Sequence, residues 1–402
     1  MVDLGLSPSE RDIKERAERF AREHITPFAS EFDRQNDFPR KLVQMAYGEG
    51  LMNLHVPKDV GGPGRTLLEE TLVSEALGYG CAGCATSIMC NNLAFAPLML
   101  AAKKEQLTKY VKPLVTGDEV KLASFCLTER ESGSDAASIK TVAKRDGDGW
   151  IIDGEKCFIT NAPVAVLHTV FATVDPFLRH KGIAVFMVPA DLPGVKIGHI
   201  ENKLGQRASV QTEVFFENVR VPGDTLVGRE GDGFRLAMMT LDMTRAGIAA
   251  IATGVAQRAV DEASRFASVR KQFGQLIGQF QGVGFTIADM ACRAAASRHL
   301  TRHAAWLADR HLPNTVESAF AKWFASDSAM MNAVECAQIM GGYGYMEEYP
   351  AAKLIRDAKL LQIYEGTNQI QRLVTSNLIL KNAATLDTGF RLAYKGRNAP
   401  KI

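Results

Sequence analysis

The chain has 402 residues, 46% hydrophobic and 23% charged, an ordinary globular composition with room for two or three domains of roughly 150 residues each. Lys and Arg number 47 against 45 Asp and Glu, a formal charge of +2, which argues against nucleic acid or an anionic membrane surface as the main partner. Seven sparse cysteines exclude a disulfide scaffold as the expected framework, and with a start lacking a signal-peptide pattern they point to a cytoplasmic protein.

Residues 1–122 read as a helical domain. Ser7 and Ser9 offer caps ahead of Glu10-Arg11-Asp12, and Ile13, Ala17, Phe20 and Ala21 then share one helix face. Phe38-Pro39 and Gly61-Gly62-Pro63-Gly64 mark breaks, and helical patterns resume at Leu67 and Lys104. From Ala76 to Ala102 there is no charged residue, a stretch long enough to span a bilayer. It also holds Gly78, Gly80, Gly83, Asn91, Asn92 and Pro97, so a buried helix is expected rather than a lipid-facing one, and no membrane partner.

Between residues 123 and 230 the pattern changes to strands. Trp150-Ile151-Ile152, Thr169-Val170-Phe171-Ala172 and Ile183-Ala184-Val185-Phe186-Met187-Val188 are separated by Asp146-Gly147, Asp148-Gly149, Asp153-Gly154 and Pro193-Gly194, the signature of an antiparallel sheet. Val214-Phe215-Phe216 and Val219-Arg220-Val221 read as its last strands. No helix-length pattern separates the strands, which disfavours a parallel dinucleotide-binding sheet.

After Gly231-Asp232-Gly233, long helical segments run over roughly 234–270, 279–310, 315–340 and 350–382. The expectation is therefore an α+β multidomain chain: an N-terminal helical domain (1–122), a middle antiparallel β-barrel or sandwich (123–230), a C-terminal four-helix bundle (231–385) and a loosely held tail (386–402).

Several common motifs fail. Gly342-Tyr343-Gly344 lacks a third glycine and a preceding strand, and no Walker loop occurs. Cys81-Ala82-Gly83-Cys84 has no second pair and sits among apolar residues, so packing is the expected role. His299 and His303 share a helix face without an accompanying acid, and no metal is expected.

Four segments are harder to read as packing alone. Phe125-Cys126-Leu127-Thr128-Glu129-Arg130-Glu131-Ser132-Gly133-Ser134-Asp135 can offer hydroxyl and backbone donors to a ring edge or phosphate. In Phe158-Ile159-Thr160-Asn161 an aromatic and a hydroxyl share a strand face. Arg270-Lys271-Gln272-Phe273-Gly274, with Gln281, can clamp a diphosphate and cover an aromatic ring. In Gln362-Ile363-Tyr364-Glu365-Gly366-Thr367-Asn368-Gln369-Ile370-Gln371-Arg372, Gly366 permits a sharp turn and sets Glu365 beside an aromatic. Desolvated, Glu365 is a proton acceptor; solvated, it is a surface glutamate at a helix N-terminus.

These segments, in this order and on this helix–sheet–helix plan, resemble the acyl-CoA dehydrogenase family over about residues 5–382, most closely its medium- and short-chain members. The likeness rests on Arg270-Lys271-Gln272-Phe273-Gly274, on Gln338 with Gly341-Gly342, and on Tyr364-Glu365-Gly366-Thr367. It implies FAD-dependent α,β-dehydrogenation of an acyl-CoA thioester. On that likeness the base at Glu365 would take the pro-R α-proton while the β-hydrogen leaves as hydride to flavin N5, the thioester carbonyl being polarised, as in the family, by the base's backbone N–H and a ribityl hydroxyl of FAD. Residue by residue, it implies that Phe125, Leu127, Thr128 and Ser134 contact the flavin or the thioester, and that Phe158 and Thr160 lie against the isoalloxazine. Arg270, Phe273, Gln281, Gln338 and Gly342 would hold the adenosine diphosphate of a neighbouring subunit's FAD, with Thr367 and Gln369 near the base. Asp242 and Arg245 match the substrate-side helix, and Met89, Leu93, Tyr364 and Gly366 match positions around the acyl chain.

A site shared between subunits implies an oligomer, the family's usual form being a homotetramer built as a dimer of dimers, with electron-transferring flavoprotein as acceptor. Some relatives carry the base on the substrate-side helix; here Thr244 stands there and Glu365 is present, so the base is assigned to Glu365. Arg130-Glu131-Ser132, Phe158 and Val210 depart from commoner family residues without removing a catalytic group. An acyl-CoA oxidase or another flavin-dependent elimination on the same fold is the alternative. An apolar floor at Met89 and Leu93 suits a short-to-medium, straight or branched chain, but a methylene is worth only about 0.8 kcal/mol.

Overall fold

A computed structural model describes residues 5–383; the tail expected over 386–402 lies outside the described residues. The N-terminal helices are α1 (Pro8–Phe20), α2 (Ala29–Gln35), α3 (Arg40–Gly48), α4 (Leu67–Gly80), α5 (Ala82–Ala101), α6 (Lys104–Gln106) and α7 (Lys112–Val115). Helix α1 opens with a capping box: Glu10 N donates to Ser7 Oγ at 3.3 Å and Ser7 N donates to Glu10 Oε2 at 2.7 Å. Its Ile13, Ala17 and Phe20 face is buried, as the spacing predicts. Helix α4 opens the same way at Thr66 and Glu69.

The charge-free stretch forms two helices rather than one, because Cys81 is extended (φ −166°) between α4 and α5. Among the described residues α5 is the one helix long and apolar enough to cross a membrane, yet 72% of that window is buried inside the fold. Helix α4 then leads a tightly packed pair. It runs against the first bundle helix, α8 (Gly233–Ala267). A Cβ on Gly254 would stand 2.2 Å from Glu75 O, and one on Gly78 2.6 Å from Ile251 O, so the two main chains touch and only glycine fits.

The middle of the chain is an eight-stranded sheet: β1 (Leu122–Cys126), β2 (Val142–Asp146), β3 (Gly149–Thr160), β4 (Ala165–Thr173), β5 (Ile183–Pro189), β6 (Val195–Ile197), β7 (Gln211–Val221) and β8 (Leu226–Val227). The order is β6-β7-β3-β2-β4-β5-β8, with β1 also on β4. It encloses a core around Trp150, Val170, Phe186 and Phe216. The wholly antiparallel sheet expected from the turns is corrected in two places: β1 pairs β4 in parallel, and so does β2 at Val142↔Thr173. Turn residues report only local hairpins such as β2–β3, whereas these pairings join distant segments. The two runs read as last strands form one strand, β7.

Past α8 come a small ribbon, β9 (Lys271–Gln272) and β10 (Gln275–Leu276), and helices α9 (Gln281–Asp309), α10 (Thr315–Met340), α11 (Pro350–Leu361) and α12 (Asn368–Ala383). A continuous core joins Leu77 and Ile88 of the N-terminal helices to Ile251, Ala329 and Leu361 of the bundle. The candidate site lies in this seam.

Candidate active site

Residues between α11 and α12 make a reversal in which Glu365 has φ 52° and Gly366 φ 91°. A side chain on Gly366 would stand 2.7 Å from Gln371 Nε2, while Glu365 itself carries left-handed strain of about 1–2 kcal/mol. Donors behind the turn hold it. Lys322 Nζ donates to Gly366 O at 2.8 Å and Asn368 Oδ1 at 2.9 Å, and Gln371 Nε2 donates to Gly366 O at 3.0 Å.

The Glu365 carboxylate opens into a narrow cleft between α4, α5 and α8. Its lining includes Glu70, Ser74, Met89, Asn92, Leu93, Thr160, Thr244, Gly247, Ile248, Ile251 and Tyr364. Thr244 Oγ1 donates to Glu365 Oε2 at 2.7 Å. Burial pushes the Glu365 carboxyl up to about 7; the Thr244 hydrogen bond and the charges of Arg245 and Lys322 oppose it, and the Glu70 carboxylate adds to it. Burial likewise pushes the Lys322 ammonium down to about 7, against the attraction of Glu365. A carboxylate titrating near neutrality in a mainly apolar cleft is suited to accept a proton.

Behind the cleft, Arg245 Nη1 pairs with Asp242 Oδ1 at 2.6 Å, and Thr315 Oγ1 donates to Asp242 Oδ2 at 2.7 Å. Tyr364 and Thr86 hydroxyls lie 3.4 Å apart, and Thr86 donates to Gln206 Oε1 at 2.9 Å, which fixes the aromatic wall.

The sheet supplies a second group. Phe125 is half-buried on Phe171, ring centroids 4.9 Å apart, and Leu127 is buried. Thr128 O accepts from Cys157 N at 3.0 Å, which ties the loop to β3. Buried Glu129 accepts from Lys156 Nζ at 2.7 Å and Thr141 N at 3.0 Å. Ser134 is exposed on the same loop. The β3–β7 register shifts between Lys156 and Ile159, and Phe158, at φ 58°, is left 62% exposed. Two residues on, Thr160 Oγ1 accepts from Gln211 Nε2 at 3.1 Å and lines the Glu365 cleft.

A separate open hollow is lined by Phe266, Arg270, Gln272, Ile277, Met346 and residues 339–343, with Arg270 5.5 Å over the Tyr343 ring. The β9–β10 turn has two left-handed residues, Phe273 (φ 52°) and Gly274 (φ 81°), and its Phe273 ring is 95% exposed. Gln281, Gln338 and Gln369 are exposed, and Thr367 Oγ1 accepts from Ile370 N at 3.2 Å as the α12 cap. Within one chain, then, Met89, Leu93, Thr160, Tyr364 and Glu365 meet in the cleft. Arg270 and Gly342 line the other hollow, which shares no lining residue with it.

Family models for the N-terminal, middle and C-terminal domains of acyl-CoA dehydrogenase match residues 7–118, 124–219 and 231–380. The chain belongs to the acyl-CoA dehydrogenase family. It is similar to an acyl-CoA dehydrogenase of Bacillus subtilis, 41% identical over 90% of this chain and 95% of the relative. Butyryl-CoA dehydrogenase from Megasphaera elsdenii superposes with a TM-score of 0.91 at 36% identity, covering 94% of this chain and all (100%) of the other. A chain solved in work on the electron transferring flavoprotein of Acidaminococcus fermentans gives 0.91 at 38% identity, with the same coverage of 94% and 100%.

As a family member the protein is an oxidoreductase acting on CH–CH bonds, with FAD as cofactor. The residues fit that cofactor. Phe158 is a bare aromatic in a strained conformation beside Thr160, and Arg270 borders a rim where Gly342 has nothing within 4 Å of an added Cβ.

Lys322, Glu70 and the Glu129–Lys156 pair escaped the motif reading. Lys322 did leave a trace, as the single cation in Ala319-Phe320-Ala321-Lys322-Trp323-Phe324-Ala325.

Proposed function

We propose that this acyl-CoA dehydrogenase converts a short-to-medium-chain, straight or branched acyl-CoA to the trans-2-enoyl-CoA, with Glu365 taking the α-proton. The observation that carries the reading is the Glu365 carboxylate, set on a strained turn in a mainly apolar cleft and poised near neutral pH. Phe125, Leu127, Thr128, Ser134, Phe158 and Thr160 hold the flavin end of FAD. Arg270, Phe273, Gln281, Gln338 and Gly342 hold its diphosphate end from a neighbouring subunit, and Thr367 and Gln369 complete the site beside the base. Bound FAD supplies the acceptor for the hydrogen leaving Cβ.

The α-proton ends on the Glu365 carboxylate, and the Thr244 hydroxyl orients Oε2 for the transfer. The Glu365 N–H makes no backbone hydrogen bond among the described residues, which leaves it for the thioester carbonyl as negative charge develops there. Arg245 and Asp242 brace the turn and its approach, Met89 and Leu93 supply apolar wall for the acyl chain, and Tyr364 with Gly366 shapes its path beside the base. Exposed Phe285 on α9, Met331 and Val334 on α10, and Leu373, Ile379 and Leu380 on α12 support a homotetramer. The Acidaminococcus likeness supports electron-transferring flavoprotein as acceptor, and free cysteines, six of the seven buried, support a reducing cytoplasmic setting.

Anaerobic titration of the yellow holoenzyme with acyl-CoAs of graded length tests the reading. Bleaching of the oxidised flavin band by one length range is expected. A band that no saturated acyl-CoA bleaches overturns the substrate class, and rapid peroxide formation in air overturns the acceptor.

A further inference from the structure

The cleft contains groups that proton abstraction does not use. Gly247 lies one turn of α8 beyond Thr244, about 4.5 Å along the axis, and exposes the opposite wall. A Cβ there would stand 3.3 Å from Glu70 Oε1 and 4.0 Å from Ser74 Oγ. Asn92, on α5, lines the same cleft. Glu70, Ser74 and Asn92 are each at most 3% exposed. Ser74 Oγ and both polar atoms of the Asn92 side chain have no hydrogen-bond partner among the described residues. Glu70 Oε2 is held by His55 Nδ1 at 3.1 Å, and no hydrogen bond to Oε1 is found among the described residues.

A plain hydrocarbon chain would seal these groups from water without pairing any of them, at a cost in affinity. An ammonium group could donate to Glu70, Ser74 Oγ and Asn92 Oδ1 but offers no lone pair to the Asn92 Nδ2 donor, which would stay buried and unpaired. A hydroxyl does both: its O–H donates to the carboxylate, and its oxygen accepts from the serine or the amide. Because Cα and Cβ must stay at the base, the hydroxyl belongs on a later carbon.

Resting on the acyl-CoA reading above, we infer that the cleft selects short acyl-CoA thioesters carrying a hydroxyl beyond Cβ, recognised by Glu70, Ser74 and Asn92. The dehydrogenated bond is unchanged; the hydroxyl takes part only in binding.

The test compares pentanoyl-CoA with 4-hydroxypentanoyl-CoA on the holoenzyme. Affinities are measured by calorimetry in Glu365→Gln, where turnover is blocked, and kcat/KM in the natural enzyme. The hydroxylated thioester is expected to bind about tenfold tighter or better and to gain similarly in kcat/KM. Glu70→Leu should abolish the preference. Should that variant fold poorly, Gly247→Ala keeps Glu70, fills the gap before it and should bring the ratio near one. Equal or weaker binding of the hydroxylated chain overturns the inference, ordered water then being the groups' partner, and leaves dehydrogenation standing. If neither thioester binds or bleaches the flavin, the acyl-CoA reading falls and this inference with it.

Discussion

Thr244 Oγ1 lies 2.7 Å from Glu365 Oε2, so the α8 hydroxyl is a hydrogen-bond donor to the carboxylate proposed as the base. The bond favours the carboxylate and holds the Glu365 carboxyl below where burial alone would put it.

Removing that donor should therefore raise the base's pKa. As the proposed base Glu365 must be deprotonated, so activity should rise with pH through about 7. In Thr244→Val the acid limb of the kcat/KM profile should move up by about one pH unit, a roughly tenfold loss below the limb. Recovery at pH 9 separates this from a folding defect. An unmoved limb would show that Thr244 does not set the base.

Glu365→Gln should keep bound flavin and lose turnover by roughly 10³-fold or more. It should also change stability with a definite sign. The carboxyl's folded value, about 7, is above its ordinary 4.5. Its stabilising contribution is thus full below 4.5 and is lost as pH rises through 7. The variant should melt about 2 °C or more above the natural protein at pH 8, a gap that closes by pH 5. A variant that melts lower at pH 8 would contradict the buried-carboxylate picture.

Lys322 both supports the turn and lowers the base's pKa through its charge. Lys322→Met should shift the acid limb upward as Thr244→Val does, and also lower the melting temperature, because Gly366 O and Asn368 Oδ1 lose their lysine donor. A pH profile shifted about half a unit or more together with reduced thermal stability is the expected pair. A drop in stability with an unmoved profile would leave Lys322 a purely structural support.

Arg270→Gln should weaken FAD retention by about tenfold or more, since an amide cannot replace the fork of a guanidinium on a diphosphate. Flavin released on repeated ultrafiltration gives the readout. Undiminished retention would remove the Arg270 hollow from the cofactor site.

Much of this arrangement was legible in the chain. Ser7 with Glu10, Thr66 with Glu69 and the Asp146-Gly147 turn declare their elements locally, and the strand and helix periods follow. The parallel β1–β4 pairing was not legible, because nothing near Leu122 encodes a partner more than forty residues away. Glu365 was recognisable as a candidate from Tyr364-Glu365-Gly366-Thr367, yet whether it was solvated depended on α4, α5 and α8 closing over it. Glu70 is harder still: in Leu68-Glu69-Glu70-Thr71 it looks like its capping neighbour Glu69. Its place on the cleft wall appears only in the fold, where a Cβ at Gly247 would stand 3.3 Å from its Oε1.

The contact of α4 with α8 at Gly78 and Gly254 has a mechanical consequence. Where main chain rests on main chain there is no layer of side chains to slide or repack. Since both helices line the Glu365 cleft proposed to take the thioester, its width is that of a rigid gauge rather than of jaws that close on what enters. Discrimination between thioesters then comes from shape present before binding, and the slow step of such an enzyme is better sought at the exit than in any movement of these two walls.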